Sequence, residues 1–170
     1  MAKVDLQPYW EFFKAERWSD AERFLRARID TCGPSDGDLL VHLRQLLGST
    51  LAKLNRSSEA TASSRAAVEA AQGHGRPVST IAVARYILAC QLLAAGEPDA
   101  ALREAQSALP SYKPIEFQFH TVSAEALFQL GRHSEARVAA LAAVGAAPGD
   151  VEREHTRRHL AEILGGEGAG

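Results

Sequence analysis

The stretch IEFQFHTVSAEALFQLGRHSEARVAALAAVGAA, from Ile115 to Ala147, decides the fold. An apolar helical run carries a small residue, Ala124, near its middle and a leucine, Leu127, three residues later. It stops at Gly131, which takes the left-handed conformation that ends a helix more cheaply than any other residue. A second run opens at Ser134, a residue suited to capping, and Glu135 places a carboxylate in its first turn. Ala136 and Ala143 then recur on one face. Two antiparallel helices approach closely only where small side chains meet, with larger apolar residues filling the space beside them. The stretch therefore predicts a tight helical hairpin.

Working outward, two more segments align to it without gaps: Leu39–Ala71 and Thr80–Tyr112. The mid-helix small residue is Gly48 or Ala89, the leucine Leu51 or Leu92, and the turn residue Asn55 or Gly96. Second helices open at Ser57, with Glu59 in the first turn, and at Pro98. Their small residues are Ala60 and Ala67, then Ala101 and Ala108. Upstream, WEFFKAERWSDAERFLRARI (Trp10–Ile29) reads as a fourth, degenerate unit, with Glu16 at the turn and Ala21 at the first small position, while Arg28 replaces the second. Turn positions at 16, 55, 96 and 131 are 39, 41 and 35 residues apart. Gly-, Pro- and polar-rich linkers at Thr31–Asp38 and Gly73–Ser79 absorb the excess over a unit of about 34 residues.

Downstream, GDVEREHTRRHLAEILGG predicts a capping helix over 150–164, with Asp150 as its cap, acids early and Arg157 to His159 late. Leu160, Ile163 and Leu164 form an apolar edge that covers the last hairpin, as an open array requires. Residues 165–170 are expected to be a flexible tail. The chain is thus read as one all-α domain over 1–164, with hairpins at about 5–31, 39–71, 80–112 and 115–147.

These residues make the chain resemble the tetratricopeptide repeat family. Ala124, Leu127, Gly131, Ala136, Ala143 and Pro148 fall at the family's spacing. Its aromatic positions are held here by Leu51, Leu92 and Leu127, and by Ser64, Ala105 and Ala140. The resemblance implies a right-handed α-solenoid whose first helices line a concave face that binds a protein or peptide. Projected onto that face, the candidate groove is His42, Gln45, Ser49 and Lys53, then Val83, Tyr86, Cys90 and Leu93, then Gln118, Thr121, Glu125 and Phe128. Trp10, Phe13 and Lys14 extend it at the N-terminal end. For each aromatic, a place in the core competes with a place in the groove, whereas Gln45 and Gln118 are costly to bury unpartnered. The family subtype that grips a C-terminal carboxylate uses Lys, Arg and Asn on these helices. Gln45, Ser49, Cys90, Gln118 and Val122 stand there instead, so a mixed polar–apolar groove is expected.

Composition narrows the function. The hydrophobic fraction is 46%, aromatics are 6%, and the formal charge is −2, which offers no concentrated basic face for nucleic acid. Arg157 and Arg158 cluster among Glu152, Glu154 and Glu162. No CxxC joins Cys32 and Cys90, which read as free thiols in a reducing compartment. Without an apolar leader in Met1–Pro8 or a long apolar span, the expected location is the cytoplasm. Abundant alanine and a preference for Arg over Lys suggest a GC-rich bacterial source.

No catalytic or cofactor motif emerges. His155 and His159 share a helix face, with Glu152 nearby, but zinc needs a third ligand and a shaped cavity. Cys90 aligns near His120, yet a small hydrophobe at a helix contact accounts for it. The GHG at 73–75 lacks a preceding strand, and neither a phosphate loop nor GxSxG occurs. The expected function is therefore a non-catalytic adaptor or scaffold. The alternatives are a secretion-type chaperone, an enzyme whose site meets no recognised geometry, and self-association.

Overall fold

A computed structural model describes residues 5–33, 35–109 and 111–165. Among these residues the protein is all-helical and divides into two compact units, 1–76 and 77–170. The boundary falls in the Gly- and Pro-containing segment read as a linker.

The first unit holds α1 (Gln7–Lys14), α2 (Trp18–Asp30), α3 (Gly37–Lys53) and α4 (Ser57–Gly73). The second holds α5 (Val78–Ala94), α6 (Pro98–Ala108), a 3-10 turn at Lys113–Ile115, α7 (Glu116–Gln129), α8 (His133–Ala146), α9 (Asp150–His159) and α10 (Ala161–Leu164). Within each unit, helices pack on their sequence neighbours, and in the second α5 also packs on α7. Both linkers are shorter than expected: Gly37 and Asp38 begin α3, Gly73 ends α4, and Val78 and Ser79 begin α5. The capping segment is two helices, broken at Leu160. Residues 166–170 of the expected tail lie outside the described residues.

The hairpin turns repeat one backbone device. Glu16, Asn55, Gly96 and Gly131 all have positive φ. After each, the next amide donates to a carbonyl five residues back: Arg17 to Phe12, Arg56 to Leu51, Glu97 to Leu92 and Arg132 to Leu127, all at 2.9–3.0 Å. This 6→1 bond, with its inner 5→2 partner, satisfies carbonyls that a helix end leaves open. The left-handed position was legible because backbone sterics govern it locally.

The expected serine caps are corrected. No side chain caps α4 or α8; Ser57 is the first residue of α4 and Ser134 the second of α8. Asp150 likewise opens α9 inside the helix and takes Arg153 at 2.8 Å. The residue before α2, α4 and α8 is instead an arginine that reaches the acid three positions on, whereas Glu97 precedes α6. The pairs are Arg17–Asp20, Arg56–Glu59 and Arg132–Glu135. The Arg-x-x-acid spacing was visible in the sequence, but a hydroxyl cap was the residue type sought there.

Glu16 is the one carboxylate-bearing residue among these turns, at φ 55°. A left-handed non-glycine residue is strained. Glu16→Gly is therefore expected to stabilise the protein by about 0.5–1 kcal/mol, less than the full strain because glycine also frees the unfolded chain. A urea midpoint that rises at unchanged m checks this.

The first unit's core gathers Tyr9, Ala21, Leu25, Leu43, Leu47, Leu51 and Ala60. At the close crossing of α3 and α4, a Cβ on Gly48 would lie 2.7 Å from Ser64 Oγ and 3.2 Å from the Ala60 carbonyl. Glu22, Arg26, Arg56 and Glu59 tie α2 to α4 through ion pairs of 2.6–3.2 Å. In the second unit the small positions Ala89, Ala101, Ala108, Ala124, Ala136 and Ala143 are all buried. Leu160 closes the last hairpin against Ala124, Ala140 and Ala143, with Ile163 and Leu164 beside it, as the apolar edge required.

Candidate functional site

The two units place the projected groove residues differently. In the first, Trp10 and Phe13 belong to an aromatic cluster: Trp10 meets Tyr9 edge-on at 4.8 Å, and Phe13 meets Trp18 at 5.0 Å. Trp10 is half-exposed, Phe13 is partly buried against the core, and Lys14 is exposed. On α3, His42 and Lys53 are exposed while Gln45 and Ser49 are half-buried. A cavity of about 230 Å³ in the first unit is built from other residues, including Arg26, Ile29, Arg44, Leu47 and Ala66.

In the second unit, the packing of α5 on α7 brings four projected residues to one cavity of about 400 Å³. Helix α5 supplies Cys90, Leu93 and Ala94, and α7 supplies Glu125, Phe128 and Gln129. A third wall comes from the chain's end: His159, Leu160, Glu162 and Ile163. Those residues were read from the sequence as a cap or a metal pair. Their place in the groove follows from tertiary packing, and only the apolar spacing of Leu160 and Ile163 hinted at it.

Local contacts set the chemistry of this site. His159 Nε2 donates to Glu125 Oε1 at 2.7 Å, which places His159 on the groove rim, and both it and His155 are exposed. Among the described residues, no three metal-ligating side chains gather. The Tyr86 ring stands edge-on to buried Phe119 at 6.2 Å, and its hydroxyl neighbours the Cys90 thiol. Phe128 packs edge-on against His133 at 5.0 Å. Thr121 is turned to its own helix, donating to the Phe117 carbonyl at 2.8 Å, so its hydroxyl is already engaged. Gln118 is half-buried and Val83 exposed.

The alignment of Cys90 near His120 does not become a pair. His120 faces Glu116 at 3.8 Å and lines a separate cavity of about 440 Å³ with Leu109, Ser123, Leu127 and Val138.

Burial pushes the Cys90 thiol above its ordinary range, and the nearby Glu125 charge acts in the same direction. Burial also raises the Tyr86 hydroxyl strongly. Both groups are therefore neutral at physiological pH. A raised acid in the folded state disfavours folding once the unfolded group ionises, so the stability these groups preserve is lost as pH climbs past the ordinary thiol value of about 8.5. Cys90 is expected to react with iodoacetamide at pH 7.5 more than tenfold slower than a free peptide thiol, because the thiolate is the nucleophile. Mass spectrometry of the time course checks this, and Cys90→Ala should reduce the alkaline loss of stability.

The outer face of α8 is also distinctive. Val138 and Leu141 are 68% and 58% exposed. Their counterparts in the aligned repeats are Ala62 and Arg65 on α4, and Arg103 and Gln106 on α6. Among the described residues, no helix is long and apolar enough to cross a membrane. No protein-family model matches the chain, and no curated protein matches it.

Proposed function

We propose that this protein is a non-catalytic adaptor of the tetratricopeptide type that holds a segment of another protein against the first helices of its second unit. In this reading it is a right-handed solenoid and works in the cytoplasm. The observation that supports it is the cavity where Cys90, Leu93, Glu125 and Phe128 meet. These positions were projected onto the face that the family resemblance implies, and they lie on a concave, mainly apolar surface with a few polar groups, the usual character of a recognition site. An apolar wall with Phe128, Leu93 and Ile163 accepts side chains, while Gln118, Gln129 and Glu125 offer polar partners to an extended segment or an amphipathic helix.

The test is capture by the full chain against variants that stay folded. Phe128→Ala and Gln118→Ala, each with an unchanged far-UV spectrum, are expected to weaken capture of the partner about tenfold when combined, in the range of interface side-chain losses. Capture unchanged in both single variants and in the combined one removes the groove from the account.

Self-association is a second reading, carried by the apolar outer face of α8. Val138, Leu141 and Gly145 recur at helical spacing, the kind of seam that meets its own copy across a two-fold axis. Sedimentation over a concentration range tests it, with Leu141→Glu expected to leave a monomer at all concentrations.

A further inference from the structure

We infer that the cavity between α5, α7 and the C-terminal helices takes a segment in which an apolar side chain stands next to a lysine or arginine. This rests on the adaptor reading and specifies its partner. The apolar part of the argument is the lining: Leu93, Ala94, Phe128, Leu160 and Ile163 surround a space large enough for one sizeable side chain. Cys90 at its edge is a neutral thiol and adds to that apolar surface.

The charged part is the composition of the rim. Elsewhere in the second unit, four carboxylates meet guanidinium groups: Glu104 with Arg85, Glu135 with Arg132, Asp150 with Arg153, and Glu154 with Arg157 and Arg158. Around this cavity the two carboxylates, Glu125 and Glu162, have no lysine or arginine among the lining residues. Glu125 is held by the His159 imidazole, and exposed Glu162 has no ion-pair partner among the described residues. The lining thus carries two carboxylates against a single imidazole, an excess of acidic groups. A guanidinium or ammonium from a partner supplies the charge this rim lacks, and sets register for the apolar side chain beside it. Acidic segments meet repulsion from both carboxylates.

A random dodecapeptide library displayed on phage, selected on the full chain, tests the inference. The enriched sequences are expected to carry Lys or Arg within three positions of Leu, Ile, Met or Phe. The strongest peptide, labelled and titrated by fluorescence anisotropy, should bind about fivefold more weakly to Glu162→Lys and about twofold more weakly to Glu162→Gln. Arg103→Glu, on the outer face of α6, should leave its affinity unchanged. Enriched peptides that lack a basic residue, or that bind Glu162→Lys as well as the wild type, overturn this inference. If such peptides still lose affinity with Phe128→Ala, the adaptor reading stands without it. Failure to enrich any peptide, or binding indifferent to Phe128→Ala, overturns both.

Discussion

Gly48→Leu should destabilise the first unit by about 3 kcal/mol, at the upper end of overpacking costs. A Cβ alone at Gly48 meets Ser64 Oγ at 2.7 Å and the Ala60 carbonyl at 3.2 Å. The serine hydroxyl can rotate away, but the carbonyl belongs to the α4 backbone, so a leucine forces α3 and α4 apart. Gly48→Ala should be much milder, about 1 kcal/mol, because alanine recovers roughly 1 kcal/mol of helix propensity. Ser64 sharpens the test. Its hydroxyl is buried without a hydrogen-bond partner among the described residues. Ser64→Ala is thus expected to be near neutral alone and to relieve part of the Gly48→Ala cost, a coupling that only residues in contact show. Denaturant midpoints for the four members of this cycle, with hydrogen exchange across residues 37–73, measure both effects. An unchanged midpoint for Gly48→Leu contradicts the close crossing.

The second large effect is Phe119→Ala, expected to cost about 3–5 kcal/mol, the range for removing a fully buried phenylalanine. Phe119 has no exposed surface, and its ring supports Tyr86 edge-on. The loss therefore acts twice. The core of the second unit gains a cavity, and Tyr86, beside Cys90 at the groove, loses its backing. Phe119→Leu keeps most of the volume and should cost about 1–1.5 kcal/mol. Thermal unfolding gives the stability change. Faster alkylation of Cys90 in Phe119→Ala, at temperatures where it remains folded, reports the loosened groove.

How much of this was legible in the sequence depends on whether a feature is local. Left-handed Asn55, Gly96 and Gly131, and even Glu16, follow from turn chemistry, so repeat spacing located all four. The buried alanines were legible because helix packing demands small residues at fixed intervals. The caps were misread because serine hydroxyls were weighed without the competing arginines, whose longer reach finds Asp20, Glu59 and Glu135. The groove was half legible. The α5 and α7 residues followed from register, but His159, Glu162 and Ile163 enter only because the chain breaks at Leu160 and folds back on α7 and α8. Neither the bend nor the His159–Glu125 contact has a signature in local spacing.

Site-specific photo-cross-linking tests the central claim most directly. A benzophenone amino acid is placed at Gln129, on the groove wall, or at Arg103, on the outer face of α6; both positions are exposed. The account predicts a protein adduct from position 129 that disappears with Phe128→Ala, and none from position 103. An adduct that forms from 103 but not from 129, or one from 129 indifferent to Phe128→Ala, contradicts it.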